Sequence, residues 1–453
     1  MLYRLAEAAQ GPKRAIAVVG SGIAGLSAAW LLAERHQVTL FEKDGWAGGH
    51  SNTVEVETGD GPIPVDTGFI VYNARNYPNL VALFDHLGVA TKPSDMSFSA
   101  SLRDGALEYS SDGINRLFGQ RANLVRPQFW SLLRDIVRFY AWARQHVENP
   151  AVDDLTLGDF LDGSGFSRAL AEDHVLPMCA AIWSTTSGGI REMPLRAYLR
   201  FFSSHGLLDI GSYFEWRTVV GGSREYVKRM TATLGDRALI GHGARAIVRT
   251  PAGVVIEDSA GTRHQFDDVV VAAHADQALA LLADADPVER KVLGNFRYTT
   301  NEAILHTDAS LMPKRQRVWS SWNYIERSSG AGQRALCLTY WMNNLQGIPK
   351  KHPLFVTLNP DRPPRADTIK RVFSYEHPVY DRTALDGQAA LWEIQGRRNT
   401  WFCGSYFGYG FHEDALQSGL AAAEAAGGVR RPWTVANESG RLPQVPAQLE
   451  AAE

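Results

Sequence analysis

Ala15-Ile16-Ala17-Val18-Val19-Gly20-Ser21-Gly22-Ile23-Ala24-Gly25 opens a stretch that continues through Leu26 to Arg35 and then Val38-Thr39-Leu40-Phe41-Glu42. Ala15 to Val19 is a short unbroken apolar run, the pattern of a strand buried on both faces of a parallel sheet. Leu26 to Arg35 has the composition of a helix, and Val38 to Phe41 forms the next strand, closed by an acid. A glycine triplet spaced GxGxxG carries weight only in this context, with a strand before it, a helix after it and a carboxylate ending the second strand. Gly20 permits the tight turn, Gly22 lets backbone approach a diphosphate, and Gly25 allows close helix–strand packing. The helix start presents N–H groups and the positive end of its dipole to the phosphates. Glu42 is placed to accept hydrogen bonds from ribose hydroxyls. The unit predicts a dinucleotide site on a Rossmann-type fold.

Further along the chain, Asp268 precedes another buried run, Val269 to Ala273. Thr400-Trp401-Phe402-Cys403 leads into a turn rich in glycine and aromatics, and a helix of small residues follows from about Asp414 to Ala426. These strands are expected to pair beside the first unit, which makes the cofactor domain discontinuous: residues 13–72, 215–295 and 391–430. The intervening blocks, 73–214 and 296–390, are rich in Trp, Tyr, Phe and Arg and are expected to form an α+β substrate domain. Residues 431–453 lose periodicity, become Pro-, Ala- and Glu-rich and read as a flexible tail. No internal repeat is visible.

The chain of 453 residues exceeds one ordinary core, so two associated domains are expected. A net charge of −3 gives no reason to expect nucleic acid as a partner. No apolar run is long enough for a membrane span, and Met1 to Pro12 lacks the apolar core of a signal peptide. Cys179, Cys337 and Cys403 are widely spaced, which suits a reducing cytoplasm better than a disulfide framework or a metal site.

The fingerprint alone does not separate NAD from FAD. After Glu42 the chain reads Lys43-Asp44-Gly45-Trp46-Ala47-Gly48-Gly49-His50-Ser51. A Gly-Gly pair at this distance resembles the second signature of the flavin amine oxidase and phytoene desaturase superfamily, where it brings more backbone against the diphosphate. Val65-Asp66-Thr67-Gly68-Phe69 resembles the family's loop past the flavin ring. Val220 to Arg224, followed by Gly243 to Ile247, resembles the segment near adenine. Phe402 to Ser405, Gly410 to Asp414 and Ser418 to Leu420 resemble the C-terminal flavin motif. Within the superfamily the chain is most similar to bacterial NAD/FAD-binding oxidoreductases associated with fatty-acid modification. The resemblance implies a glutathione-reductase-like fold and FAD, held without a covalent bond because Cys403 falls inside a strand. It implies cofactor contacts from Gly20, Ser21, Gly22, Ile23, Ala24, Gly25, Glu42, Lys43, Gly48, Gly49, His50, Ser51, Gly68, Phe69, Ala244, Gly404, Ser405, Phe411 and His412. Two positions depart from the family: His50 stands where an arginine is usual, and Ser405 where an acid is usual.

Flavin performs the redox chemistry and protein orients and tunes it, so no acid–base motif is required, and none appears. No hydrolase or metal-ligand spacing appears either. Tyr406, Phe407, Tyr409, Phe411 and His412 cluster in the last motif. Tyr409 and His412 are the candidate catalytic pair, lining the reacting face; simple packing explains such aromatics as well.

Phe129, Leu132, Leu133, Ile136, Tyr140, Ala143 and Val147 recur at helical spacing within 125–147, and six arginines (116, 121, 126, 134, 138 and 144) accompany two aspartates between Asp112 and Val147. Such a helix could meet the inner face of an anionic membrane, admit a lipid chain, or be an ordinary surface helix. Phe201, Phe202, Tyr213, Phe214, Trp319, Trp322, Tyr324, Tyr340 and Trp341 offer apolar surface for a hydrophobic pocket or for core. The expected protein is therefore an FAD-dependent oxidoreductase moving a hydride between flavin N5 and a hydrophobic, lipid or fatty-acyl substrate. An oxygen-dependent amine oxidase and a non-catalytic electron-relay flavoprotein are the alternatives.

Overall fold

The computed structural model describes residues 12–183, 187–209, 214–326 and 337–443. Tyr213, counted above among the aromatics, lies outside them, as do most of the opening segment and residues 444–453. Strand Ala15–Val19 sits at the centre of a five-stranded parallel sheet in the spatial order Ala238–Ile240, Gln37–Glu42, Ala15–Val19, Asp268–Val271, Thr400–Phe402. Its central residues have no exposed surface, as expected where helices cover both faces of a parallel sheet. The first helix, Ile23–Leu32, starts three residues earlier than its composition suggests and is buried along its whole length. The C-terminal helix His412–Gly427 crosses it, and the contact requires glycine: a Cβ at Gly419 would lie 2.2 Å from the carbonyl oxygen of Ala24. An antiparallel meander, Ala244–Thr250, Gly253–Asp258 and Arg263–Phe266, covers one edge of this half.

A seven-stranded mixed sheet forms the second half. Its order is Ile369–Pro378, Tyr298–His306, Phe355–Leu358, Leu338–Trp341, Trp322–Ile325, Phe98–Leu102, Leu107–Ser110. Helices Pro127–His146, Leu157–Gly163 and Leu195–Ser204 belong to the same large apolar core. The stripe Phe129, Leu132, Ile136, Tyr140 and Ala143 is turned inward and buried in it.

Two expectations need correction. The change of composition after Tyr72 does not mark a structural boundary. Tyr72–Asn73 and Thr91–Ser94 both pair with Trp216–Val219, and helix Pro78–Leu87 buries Leu80, Leu83 and Phe84 against Trp30, Tyr226 and Met230 of the cofactor half. Nor is the chain loose over residues 431–443. Arg431 is buried and donates to Glu424, Asn79 and the Glu438 carbonyl; Trp433 stacks on Trp30; Arg441 pairs with Asp414 at 3.1 Å. Residues 431–443 thus close over the N-terminus of helix Pro78–Leu87, which buried Glu413 also caps by accepting from the N–H groups of Asn79 and Leu80.

Candidate functional site: a dinucleotide cradle

The three glycines of the first turn have distinct surroundings. Gly20 has φ +101°, and a Cβ there would stand 2.6 Å from the carbonyl oxygen of Ala272, so strand Asp268–Val271 feeds directly past the turn. A Cβ at Gly25 would overlap the Gly20 carbonyl oxygen at 1.8 Å. Gly22 has nothing within 4 Å of its Cβ direction. It is the residue that opens onto space, and it caps helix Ile23–Leu32 without a side-chain partner. Ile23 and Ala24 are buried in that first helical turn. The helix start therefore faces the space with backbone alone, which suits a diphosphate.

Glu42 is buried, and its carboxylate accepts from the backbone N–H of Ser21 at 2.8 Å, the Ser21 hydroxyl, and the N–H of Asp44 at 2.8 Å. Ser21 then joins the two glycine loops, since the Gly48 N–H donates to its hydroxyl and its carbonyl, each at 3.1 Å. Gly49 lies over Gly22, with its Cβ direction 3.2 Å from the Gly22 Cα. Exposed Lys43 flanks Gly243, which is followed by half-buried Ala244 at the start of the meander. These segments converge on one space. Gly221 and Gly222 do not join them: Ser223 donates to Asp66 through its N–H at 2.9 Å and its hydroxyl at 2.8 Å, and a Cβ at Gly222 would strike Thr53. That pair of glycines buttresses the loop at Asp66.

At the other end of the cradle the ring of His412 stacks on Phe69, centroids 3.8 Å apart and planes within 7°. Its Nε2 is 2.8 Å from the Tyr226 hydroxyl, and Ser51 closes the triad through its own bond to that hydroxyl. Burial raises the Tyr226 pKa, so the phenol keeps its proton, which it can donate to either His412 Nε2 or Ser51 Oγ. Burial also pushes the His412 pKa down to about 3, so the ring is neutral at pH 7. Gly68 packs so tightly on the His50 carbonyl that a Cβ would lie 2.2 Å from its oxygen, and Phe69 donates its N–H to the same carbonyl at 2.7 Å. Gly404 binds Ser418 through both N–H and C=O, and Ser405 is half-buried at the start of the following turn.

His50 stacks on Tyr375 at 4.9 Å and lies 5.3 Å from His377. Burial, then the nearby imidazoles of His377, His274 and His412, hold its pKa well below the ordinary value. Its Nε2 is shielded from solvent and has no hydrogen-bond partner. An unpaired ring nitrogen beside a second loop that leans on Gly22 is what a bound polar group would satisfy. The residues present thus fit a dinucleotide cofactor: an open helix N-terminus, a buried carboxylate and an unsatisfied imidazole.

The expected pairing of Tyr409 with His412 is not reproduced. Tyr409 lies 6.1 Å from Phe201 and lines a separate apolar cavity with Trp183, Met193, Pro194, Ala197, Tyr380 and Leu385. Phe411 turns the same way, stacking on Phe201 at 4.9 Å, so its ring packs the substrate half and only its backbone belongs to the motif. Sequence reasoning missed Tyr226, Tyr375 and His377. The last two had a readable signal, since Phe373, Tyr375 and His377 alternate with Val372, Ser374 and Glu376 on strand Ile369–Pro378.

The sequence profile of flavin-containing amine oxidoreductases matches residues 23–366. The chain belongs to that family, a class of FAD-dependent oxidoreductases, and its cofactor is FAD. It is 27% identical over 263 residues to a Mycobacterium tuberculosis protein provisionally named flavin-containing monoamine oxidase, covering 54% of each chain. The chain thus spans about half the length of the curated relatives it matches first. In fold it is similar to cyclohexylamine oxidase from Brevibacterium oxydans, with TM-score 0.66 and 15% identity over 92% of this chain and 99% of that one. It is also similar to a conjugated-linoleic-acid-producing fatty acid isomerase from P. acnes, with TM-score 0.60 and 16% identity over 90% and 97% of the two chains.

Proposed function

We propose that the protein exchanges two electrons, as one hydride and one proton, with adjacent carbons of a hydrophobic, lipid or fatty-acyl substrate, making or removing a C=C bond. The observation that carries this reading is the cavity bounded by Tyr409 of the C-terminal motif. Trp183, Met193, Pro194, Ala197, Tyr380 and Leu385 complete its lining, and no charged side chain contributes. Burial raises the pKa of both tyrosines, so they meet the substrate as neutral phenols. The cavity has room for about one water molecule, so what it contributes is an apolar wall, against which each methylene buried is worth about 0.8 kcal/mol. FAD, when bound, supplies the hydride acceptor or donor. Gly22, Glu42 and His50 would hold it, without a covalent bond because Cys403 is buried in the core.

A second reading is an amine oxidase. The family and the monoamine oxidase relative favour it, and Tyr380 and Tyr409 lining one cavity would suit an uncharged amine. Anaerobic reduction of the yellow protein by a panel of acyl and amine substrates separates the two. Bleaching by acyl substrates alone is expected; bleaching by amines alone would replace the first reading with the second. Acid precipitation should release free FAD, and flavin retained in the pellet would refute the non-covalent part.

A further inference from the structure

The apolar stripe of helix Pro127–His146 that is visible in the sequence is spent on the core. Its outer surface carries a second apolar set that helical periodicity does not reveal. Trp130 and Val137 are about half exposed there, at 50% and 51%. The two short turns before the helix, Gly113–Leu117 and Arg121–Val125, add Ile114 at 79%, Leu124 at 47% and Val125 at 83%. These groups are neighbours: the Trp130 indole N–H donates to the Leu124 carbonyl at 3.0 Å, and its ring centroid lies 5.3 Å from that of Phe118. Scattered exposed apolar residues need no explanation. Here, however, half of the ten large apolar side chains exposed among the described residues fall between positions 114 and 137.

Arginines are interleaved with them. Arg116, Arg121, Arg126, Arg134 and Arg138 share the segment with only two acids, Asp112 and Asp135. Asp135 is buried and lies 3.3 Å from Arg138; Asp112 pairs with Arg116 at 2.8 Å. The side chains of Arg134 and Arg138 remain 67% and 59% exposed, and exposed Arg317 borders the patch where its backbone meets Gly119.

We propose that this surface docks on an anionic lipid bilayer, with Ile114, Leu124, Val125, Trp130 and Val137 entering the boundary between headgroups and acyl chains. Charge complementarity selects the partner's sign, and the apolar tip selects a bilayer over a polyanion that offers phosphates alone. An indole at the rim suits the interface, where its ring is buried and its polar edge stays wet. No helix among the described residues is long and apolar enough to cross a membrane, and the apolar set lies on two short turns and the outer face of helix Pro127–His146, so the contact proposed is peripheral. The inference stands apart from the substrate reading, because a bilayer-bound enzyme can oxidise either acyl chains or amines.

The test is co-sedimentation of the FAD-loaded protein with phosphatidylglycerol vesicles and with phosphatidylcholine vesicles. Binding to the anionic vesicles, weakened by salt, is expected. Each arginine near such a surface contributes on the order of 5-fold, so Arg134→Glu with Arg138→Glu should weaken binding by roughly 25-fold or more. Ile114→Gln with Val125→Gln should weaken it by roughly 10-fold or more at unchanged charge. FAD content should be unaltered in both variants, and the thermal midpoint in the glutamine variant; the charge-reversal variant loses both cations beside buried Asp135, so its binding is compared at a temperature where circular dichroism shows it folded. Equal binding to both vesicle types, or unchanged binding after charge reversal, would overturn the proposal. Full retention of the glutamine variant on phosphatidylglycerol would also overturn it, leaving a general anion-binding face.

Discussion

Replacing Glu42 by alanine should damage the protein twice, and the two effects can be measured separately. In the folded chain the carboxylate is the acceptor for the Ser21 N–H, the Ser21 hydroxyl and the Asp44 N–H, and Ser21 has no exposed surface. Removing it strands two buried donors on Ser21, at about 1–3 kcal/mol each, while the half-buried Asp44 N–H can turn to water. The apoprotein should therefore lose about 2–6 kcal/mol, with no cofactor involved. On top of this, charge-assisted hydrogen bonds to the ribose are worth about 1.5–3 kcal/mol, or about 10- to 150-fold in FAD affinity. Glu42→Gln retains one acceptor oxygen and should fall between wild type and Glu42→Ala in both respects. Urea titration of flavin-free protein reads the first effect, and quenching of FAD fluorescence on titration with apoprotein reads the second. A wild-type urea midpoint in apo Glu42→Ala would refute the claim that this carboxylate holds the glycine loops together. Unchanged FAD affinity in a folded variant would move the ribose contact elsewhere.

Gly22→Val should yield folded, colourless protein, because its Cβ direction is empty of protein and points where the diphosphate belongs; Gly25→Val should not fold, since its Cβ would overlap the Gly20 carbonyl, and circular dichroism with flavin absorbance tells these outcomes apart. Arg249→Met should cost about 3–5 kcal/mol in thermal or urea unfolding by leaving Glu289, which has no exposed surface, without its cation, and adding Glu289→Leu should recover most of that. Acid should destabilise the protein through buried neutral histidines such as His174, whose pKa burial lowers to about 4. The unfolded chain binds a proton there that the folded chain refuses, so stability is lost as pH falls from about 6.5 toward 4, by about 2 kcal/mol at pH 5 for this residue alone. His174→Gln should flatten that dependence between pH 7.5 and pH 5 in urea midpoints, and an unchanged slope would assign the acid sensitivity elsewhere.

The cofactor turn was legible because every requirement on it is local. A parallel strand, three glycines, a buried helix and a terminal carboxylate lie within one β-α-β unit, and each constrains its neighbours in sequence. Edge strand Ala238–Ile240 has only three residues and no periodicity long enough to stand out. Residues 73–94 were misplaced for a different reason: their composition resembles the substrate blocks, while tertiary pairing to Trp216–Val219 ties them to the cofactor half. The same limit applies to helix Pro127–His146. Its periodicity identifies the buried stripe, but which opposite-face residues stay exposed depends on the turns that pack beside it.

What sequence spacing could not show is how the two halves share the cofactor loop. Asn52 donates to the Tyr375 hydroxyl at 3.0 Å, and Thr67 lies 2.7 Å from the same hydroxyl. Gln346 receives the Asp66 N–H at 2.9 Å and donates to the Asp66 carboxylate at 2.9 Å, while Ser223 and Thr53 donate to its other oxygen. Tyr375 and Gln346 come from the substrate half, so residues 50–67 are held between two sheets and belong to neither alone. Burial raises the Asp66 pKa to about 6 despite these donors, which means that the carboxylate is held at an energetic cost. That cost is tolerable only while Gln346, Ser223 and Thr53 are all in place. The loop carrying His50 and Ser51 toward the cofactor therefore depends on the substrate half for part of its support. A cofactor domain assembled from the three expected segments alone would have the first glycine turn and Glu42, but not the second loop in its working position.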